Sequence, residues 1–191
     1  MSGRYMAYVG SYSYTGKAKG ITVFDVDVEK GTFKERCEME VNNSSYVIAS
    51  SDGKTLYSIA DEGVVSFRIL QNGALARLNS APIRGMRGCH LCSDLEDKFI
   101  FVSGYHDGKT TILSLNKDGS VGGIVDGVYD KGYGSVAERN FRPHVTCTRR
   151  MPDNKYILSV DNGVDQVQIY RFNDKEQKMV QVDAIRCDLE S

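Results

Sequence analysis

Apolar residues in this chain fall in short β-branched and aromatic runs separated by Gly, Asp and Asn, and none keeps the spacing of an amphipathic helix. The stretch 44–83 shows the pattern. Runs at 46–50, 55–60, 64–70 and 75–81 are divided by Ser51-Asp52-Gly53, by a turn at 61–63, and by Asn72-Gly73. Asp-Gly and Asn-Gly tolerate the positive φ of tight hairpin turns, so the stretch predicts four antiparallel strands in series. Strands such as Phe99-Ile100-Phe101-Val102 lack polar alternation, which predicts burial on both faces.

The four-strand phrase then returns. Runs at 91–93, 98–103, 110–115 and 121–128 are separated by Glu96-Asp97, a turn at 105–108 and Asp118-Gly119. A third copy begins near His144, turns at Pro152-Asp153-Asn154, and continues through 156–160, Asn162-Gly163, 166–172 and 179–185. Lys54, Lys98 and Lys155 mark one recurring corner, 44 and 57 residues apart. An earlier copy holds three runs, at 5–12, 20–27 and 33–41. Repeats of about 40–50 residues with four antiparallel strands are the pattern of propeller blades. The expected fold is an all-β propeller domain of about four blades, at approximately 4–42, 43–85, 86–140 and 141–191. A β-sandwich with coincidental spacing is the alternative, disfavoured because the turn chemistry recurs in phase. The first blade lacks an innermost strand, and the tail at 186–191 is barely long enough to supply it.

Composition narrows the classes of partner. The 24 Lys and Arg nearly cancel the 25 Asp and Glu, so net charge suggests neither nucleic acid nor an anionic membrane. No apolar run approaches the ~20 residues of a membrane span, and the N-terminus lacks the layout of a secretory signal. Five irregularly spaced cysteines fit reduced thiols, and the chain is expected in the cytoplasm.

Inner blade strands start at one mouth of the central channel, so polar residues at their entrances face a shared funnel. Asn43, Arg87 and His144 take equivalent places there; Ser45, Cys89 and Thr146 follow two residues later, and His90 is next to Cys89. Arg84, Arg87, Arg139 and Arg142 make this mouth basic, which suits a small anionic substrate, because Arg grips carboxylate or phosphate bidentately. The bland alternative pairs these arginines with acidic loop residues and leaves the histidines hydrogen-bonding the backbone. Cys89-His90-Leu91-Cys92 spells C-x-x-C but enters a strand, where positions i and i+3 face opposite ways, so it is read as structural. Gly132-Tyr133-Gly134-Ser135-Val136-Ala137 mimics a dinucleotide fingerprint, yet Pro143 and the absence of a helical pattern after it argue for an inter-blade loop. The Asp25/Asp27 and Asp161/Asp165 pairs flank turns and are read as solvated caps rather than metal ligands. No metal or cofactor is expected.

Several phrases together resemble the seven-bladed β-propeller lactonase family, which includes 6-phosphogluconolactonases. They are Tyr8-Val9-Gly10-Ser11-Tyr12, Asn43-Ser44-Ser45-Tyr46, Ser51-Asp52-Gly53-Lys54-Thr55-Leu56-Tyr57, Cys89-His90-Leu91, Gly104-Tyr105-His106-Asp107-Gly108, Gly132-Tyr133-Gly134 with Arg139-Asn140 and Pro143-His144, and Asp161-Asn162-Gly163-Val164-Asp165. They run in family order and match roughly its N-terminal half. The resemblance implies metal-free hydrolysis of a phosphorylated sugar lactone in the pentose phosphate route. His144 would be the base; Arg142, Arg139, His90, Arg87, Asn43 and Thr146 would line the substrate site. The family's Pro-His-x-His has Thr146 at its second histidine, and the downstream blades with further functional positions lie outside this sequence. An inactive or truncated half-propeller, acting as a binding or assembly module, is therefore the competing expectation. Four open blades expose strand edges, and a homodimer completing the ring is expected to cover them.

Overall fold

The computed structural model describes residues 5–134 and 141–187. Among the described residues the chain forms no helix, and fifteen strands make four antiparallel sheets. The first sheet holds β1 (Tyr5–Gly10), β2 (Gly20–Asp27) and β3 (Thr32–Glu40). The second holds β4 (Val47–Ala49), β5 (Thr55–Ala60), β6 (Gly63–Ile69) and β7 (Leu75–Ala81). The third holds β8 (His90–Ser93), β9 (Phe99–Gly104), β10 (Lys109–Leu115) and β11 (Val121–Tyr129). The fourth holds β12 (Val145–Arg150), β13 (Tyr156–Asp161), β14 (Gln166–Asn173) and β15 (Lys178–Arg186). Each sheet is a simple meander, as the in-phase turn signals predict.

Turn residues carry the backbone strain where expected. Gly53, Gly73 and Gly119 sit at φ 67°, 79° and 86°, so the Asp-Gly and Asn-Gly turns are left-handed at glycine. Each sheet also has a bulge between its last two strands, at Val23/Phe24, Ser66/Phe67, Ile112/Leu113 and Ile169/Tyr170. A bulge sharpens local twist, and its recurrence at one place in every sheet is a structural signature of the repeat.

Successive residues of the central strands feed different cores. On β5, Tyr57 and Ile59 pack with Leu91, Ile100 and Val102 of the third sheet, while Leu56 and Ala60 pack with Ile21 and Val23 of the first. On β9, Ile100 and Val102 join the former cluster, whereas Phe99 and Phe101 meet Ile157, Tyr170 and Phe172 of the fourth sheet. Both strands are buried at all six positions. That is why their sequences show apolar runs instead of alternation. Each fully buried Leu, Ile or Phe contributes roughly 1.5–3 kcal/mol, so the seams hold the sheets together.

The two outer sheets differ. The first leaves Tyr5, Val9 and Phe33 exposed, and the fourth leaves Val180, Val182 and Ile185 exposed. Among the described residues, each has one apolar face that no other sheet covers.

Candidate functional site

Antiparallel meanders put alternate loops on opposite ends of the sheets. The entrances to β4, β8 and β12 share one end with the β1–β2, β5–β6, β9–β10 and β13–β14 turns. Every sequence-predicted site residue in the described part lies at this end; Arg139 lies outside the described residues, as do positions 135–137 of the glycine-rich phrase.

His144 is nine-tenths buried just before β12. Its ring stacks on Tyr105, with centroids 4.4 Å apart and planes 19° from parallel. Its Nδ1 lies 2.7 Å from the Tyr105 carbonyl oxygen. A carbonyl oxygen can accept but not donate, so Nδ1 carries the proton and the lone pair sits on Nε2. The main chain is held as firmly, because the His144 N–H donates to Asp161 Oδ1 at 2.7 Å and the Gly163 N–H donates to the same oxygen at 2.8 Å. Gly163 fits for lack of a side chain: a Cβ there would lie 2.1 Å from the Arg142 carbonyl oxygen and 2.6 Å from the His144 nitrogen. The left-handed residue of this turn is Asp165, at φ 55°.

The expectation that Asp161 and Asp165 are solvated caps is corrected here. They are 1% and 2% exposed. Asp161 does cap, but it caps buried N–H groups that water does not reach. Asp25 and Asp27 are surface groups, the first paired with Arg36 at 2.6 Å and the second accepting the N–H groups of Glu29 and Lys30.

The other predicted residues fall into separate groups. Asn43 is occupied with loop closure: its Oδ1 accepts the N–H groups of Ser13 and Tyr14, and its Nδ2 donates to Asp61 at 2.7 Å. Arg87 also pairs with Asp61, at 3.0 Å, and lies 4.9 Å from the Tyr12 ring centroid. Thr146 donates its hydroxyl to the Val160 carbonyl at 3.1 Å. Arg142 is exposed beside the Phe141 ring. Of the expected site, the structure brings together His144 and the backbone of Arg142, with two residues that the sequence reading did not place there, Tyr105 and Asp161.

His90 occupies a different setting. Its ring centroid lies 4.6 Å from that of Tyr46, its Nε2 is 3.5 Å from Cys147 Sγ, and its Nδ1 accepts the Thr148 N–H at 3.5 Å. Burial, reinforced by the Arg149 charge, pushes its pKa down to about 4. Cys89 and Cys92 are free thiols bonded to carbonyl oxygens, and burial pushes both upward, Cys89 to about 11. Such thiols are poor nucleophiles and poor ligands at neutral pH, in keeping with a structural C-x-x-C. Among the described residues, no three His, Cys, Asp or Glu side chains gather in a metal-binding arrangement.

Two clefts open at the far end of the sheets. One of about 690 Å³ is lined by Ser51, Tyr57, Arg68, Asp97 and Lys117, and another of about 380 Å³ by Tyr156, Arg171 and Asp174. In the first, Lys54 pairs with Asp52 and Lys98 with Glu96, the Ser51 N–H donates to Asp97, and Arg68 donates to the Asp118 carbonyl. Neither cleft contains a histidine.

A model of the family described as Lactonase, 7-bladed beta-propeller, matches residues 6–190. A 6-phosphogluconolactonase of Bacillus subtilis is 32% identical over 177 residues, covering 90% of this chain and 50% of its own length. A crystal structure of a candidate 6-phosphogluconolactonase from Bacteroides fragilis superposes with a TM-score of 0.85 at 32% identity, over 95% of this chain and 54% of that one. A second, from Bacteroides uniformis, gives 0.88 at 25% identity, over 97% and 55%. The chain thus spans about half the length of the curated relatives it matches.

Proposed function

Because the chain belongs to the seven-bladed β-propeller lactonase family, we propose that it serves hydrolysis of a phosphorylated sugar lactone, with His144 as general base. The observation that carries this reading is the Nδ1–Tyr105 hydrogen bond, which leaves the Nε2 lone pair as the proton acceptor of a ring fixed by stacking. In the proposed step Nε2 takes a proton from water as its oxygen attacks the lactone carbonyl carbon. The tetrahedral intermediate then breaks its ring C–O bond, and the alkoxide takes the proton back from the imidazolium. The product is the open hydroxy acid, and no redox change occurs. Arg142 and Arg139 are proposed to hold the anionic group, since a guanidinium matches phosphate oxygens in pairs. Asp61 neutralises Arg87, which gives that residue a loop-bracing role.

Thr146 bonds to the backbone in this reading, and its hydroxyl cannot act as a base near neutral pH. The base is accordingly the first histidine of the family's phrase. The test is turnover of a 6-phosphorylated δ-lactone by the purified chain, measured against spontaneous hydrolysis. A rate above background that is lost in His144→Ala supports the reading; no rate, or an unchanged rate in the variant, overturns it.

We also propose that a second copy covers the apolar faces carrying Phe33 and Val180. Light scattering that gives a single 21.2 kDa species would defeat that assembly.

A further inference from the structure

Three side chains with no role in the proposed hydrolysis converge at the seam between the third and fourth sheets, beside the His144 turn. Asp130 follows β11, donates its N–H to the Gly108 carbonyl at 2.9 Å, and is 7% exposed. Asp161 ends β13 and Tyr170 sits on β14, each 1% exposed. The Tyr170 hydroxyl donates to Asp130 Oδ1. Asp161 Oδ1 is occupied by the N–H groups of His144 and Gly163.

One oxygen is left on each carboxyl, Asp130 Oδ2 and Asp161 Oδ2. Both are buried without a donor, and the two carboxyls lie within hydrogen-bonding reach of each other. A buried carboxylate oxygen without a donor is costly, and one proton held in the contact between the two carboxyls relieves that cost. The titratable groups facing Asp130 are Asp161 from β13 and Tyr170 from β14, and neither brings a positive charge. Tyr129 and Lys131 flank Asp130 along the chain and Arg171 follows Tyr170, all three exposed, while His144, on the approach to β12, and Asp165, in the turn after β13, are buried. Burial, with the Asp161 charge adding to it, pushes Asp130 well above the usual carboxylate range. Tyr170 is pushed up as well, by burial and then by the Asp130 charge, so it remains a donor.

We infer that Asp130 and Asp161 share one proton and that this carboxyl pair is the positioning device for His144. With the proton in place, all four carboxyl oxygens have partners, and Asp161 holds the His144 main chain against the Gly163 turn. Loss of the proton sets two negative charges against each other behind the same turn and loosens its grip on His144. The consequence for catalysis rests on His144 being the base proposed above; the shared proton itself does not.

The test is carboxyl-carbon and imidazole NMR titration of the full chain. The expected result is that the Asp130 carboxyl signal titrates above the usual carboxylate range and that the Asp161 carboxyl carbon responds at that same midpoint. The His144 ring signals should show an inflection at that midpoint in addition to their own titration. In Asp130→Asn the amide still donates to Asp161 and accepts from Tyr170, and the extra His144 inflection should vanish. Independent titration of the two carboxyls in the ordinary range overturns the pair. A shared midpoint to which His144 is blind overturns its positioning role, as does an inflection that survives in Asp130→Asn. Should that variant not fold, Tyr170→Phe decides: removing the donor should raise the shared midpoint, and an unmoved midpoint overturns the network. Absence of lactone turnover alongside the coupled titration would overturn the proposed function and leave the carboxyl pair standing.

Discussion

Two histidines stand at the entrances of neighbouring inner strands, His90 at β8 and His144 just before β12, and they have become different chemical objects. Both are more than nine-tenths buried. His90 faces Tyr46 and Cys147 and is discouraged from taking a proton. His144 faces a carbonyl oxygen that dictates its tautomer, and a carboxylate holds its main chain. The difference does not come from the residue or from its place in the repeat. It comes from the adjoining elements, where Tyr105 and Asp161 supply acceptors at one entrance and Cys147 of β12 fills the other. A repeat copies positions, while the neighbours at each position decide whether an imidazole seals a seam or can move protons.

The strongest way to break this contrast is to truncate each ring. His144→Ala should lower lactone turnover by about 10²–10⁴-fold, the usual contribution of a general base, with a modest change in melting temperature. His90→Ala should do the reverse, costing about 1–3 kcal/mol in chemical denaturation while the folded fraction keeps turnover within a few fold. Equal losses of activity in both variants would erase the distinction.

A second measurement uses pH. The folded state lowers the His90 pKa from 6.5 to about 4, so that group's stabilisation is present above 6.5 and is lost as pH falls toward 4. Asp130 is raised from 3.8 to about 7, so its contribution is full below 3.8 and is lost as pH rises through 7. Between pH 4 and 6.5 the unfolded state holds one more proton at His90 and one fewer at Asp130, and the two slopes cancel. Stability of the native chain should therefore show little net slope from these two groups in that window. His90→Ala should expose a fall with rising pH, and Asp130→Asn a rise, each at most about 1.4 kcal/mol per pH unit. Denaturant midpoints across pH 4–6.5 read this directly, and parallel profiles for the two variants would contradict it.

Smaller effects test the turn behind His144. Gly163→Ala sets a methyl against the Arg142 and His144 backbones and should cost about 1–3 kcal/mol, with a fall in turnover beyond that of unfolding. Gly123→Ala on β11 meets nothing within 4 Å and should stay within about 0.5 kcal/mol of the native chain. Equal melting temperatures for the two would deny His144 its tight seat.

Much of this molecule is legible in the sequence. Turn dipeptides and apolar runs mark strands that recur in phase, because a tight turn needs particular residues and a strand between two sheets needs apolar side chains on both faces. Tyr57 and Phe101 announce burial in this way, and the order of the motifs announces the family. The partners of the site are less legible. Tyr105 sets the tautomer through its carbonyl oxygen, which every residue possesses, and its ring stacks on a histidine 39 positions away, a contact no local pattern betrays. Asp161 and Asp130 stand 31 positions apart in turn-rich segments, where an acidic residue ordinarily faces water. Packing of the fourth sheet on the third buries both, and desolvation then raises the pKa of Asp130. Sequence alone determined the strands, their repeat and the candidate histidines, since those depend on local propensity and periodicity. Which histidine has its tautomer set by a carbonyl oxygen, and which carboxyls are buried, was decided by tertiary structure, because these depend on atoms that meet only when the sheets close on each other.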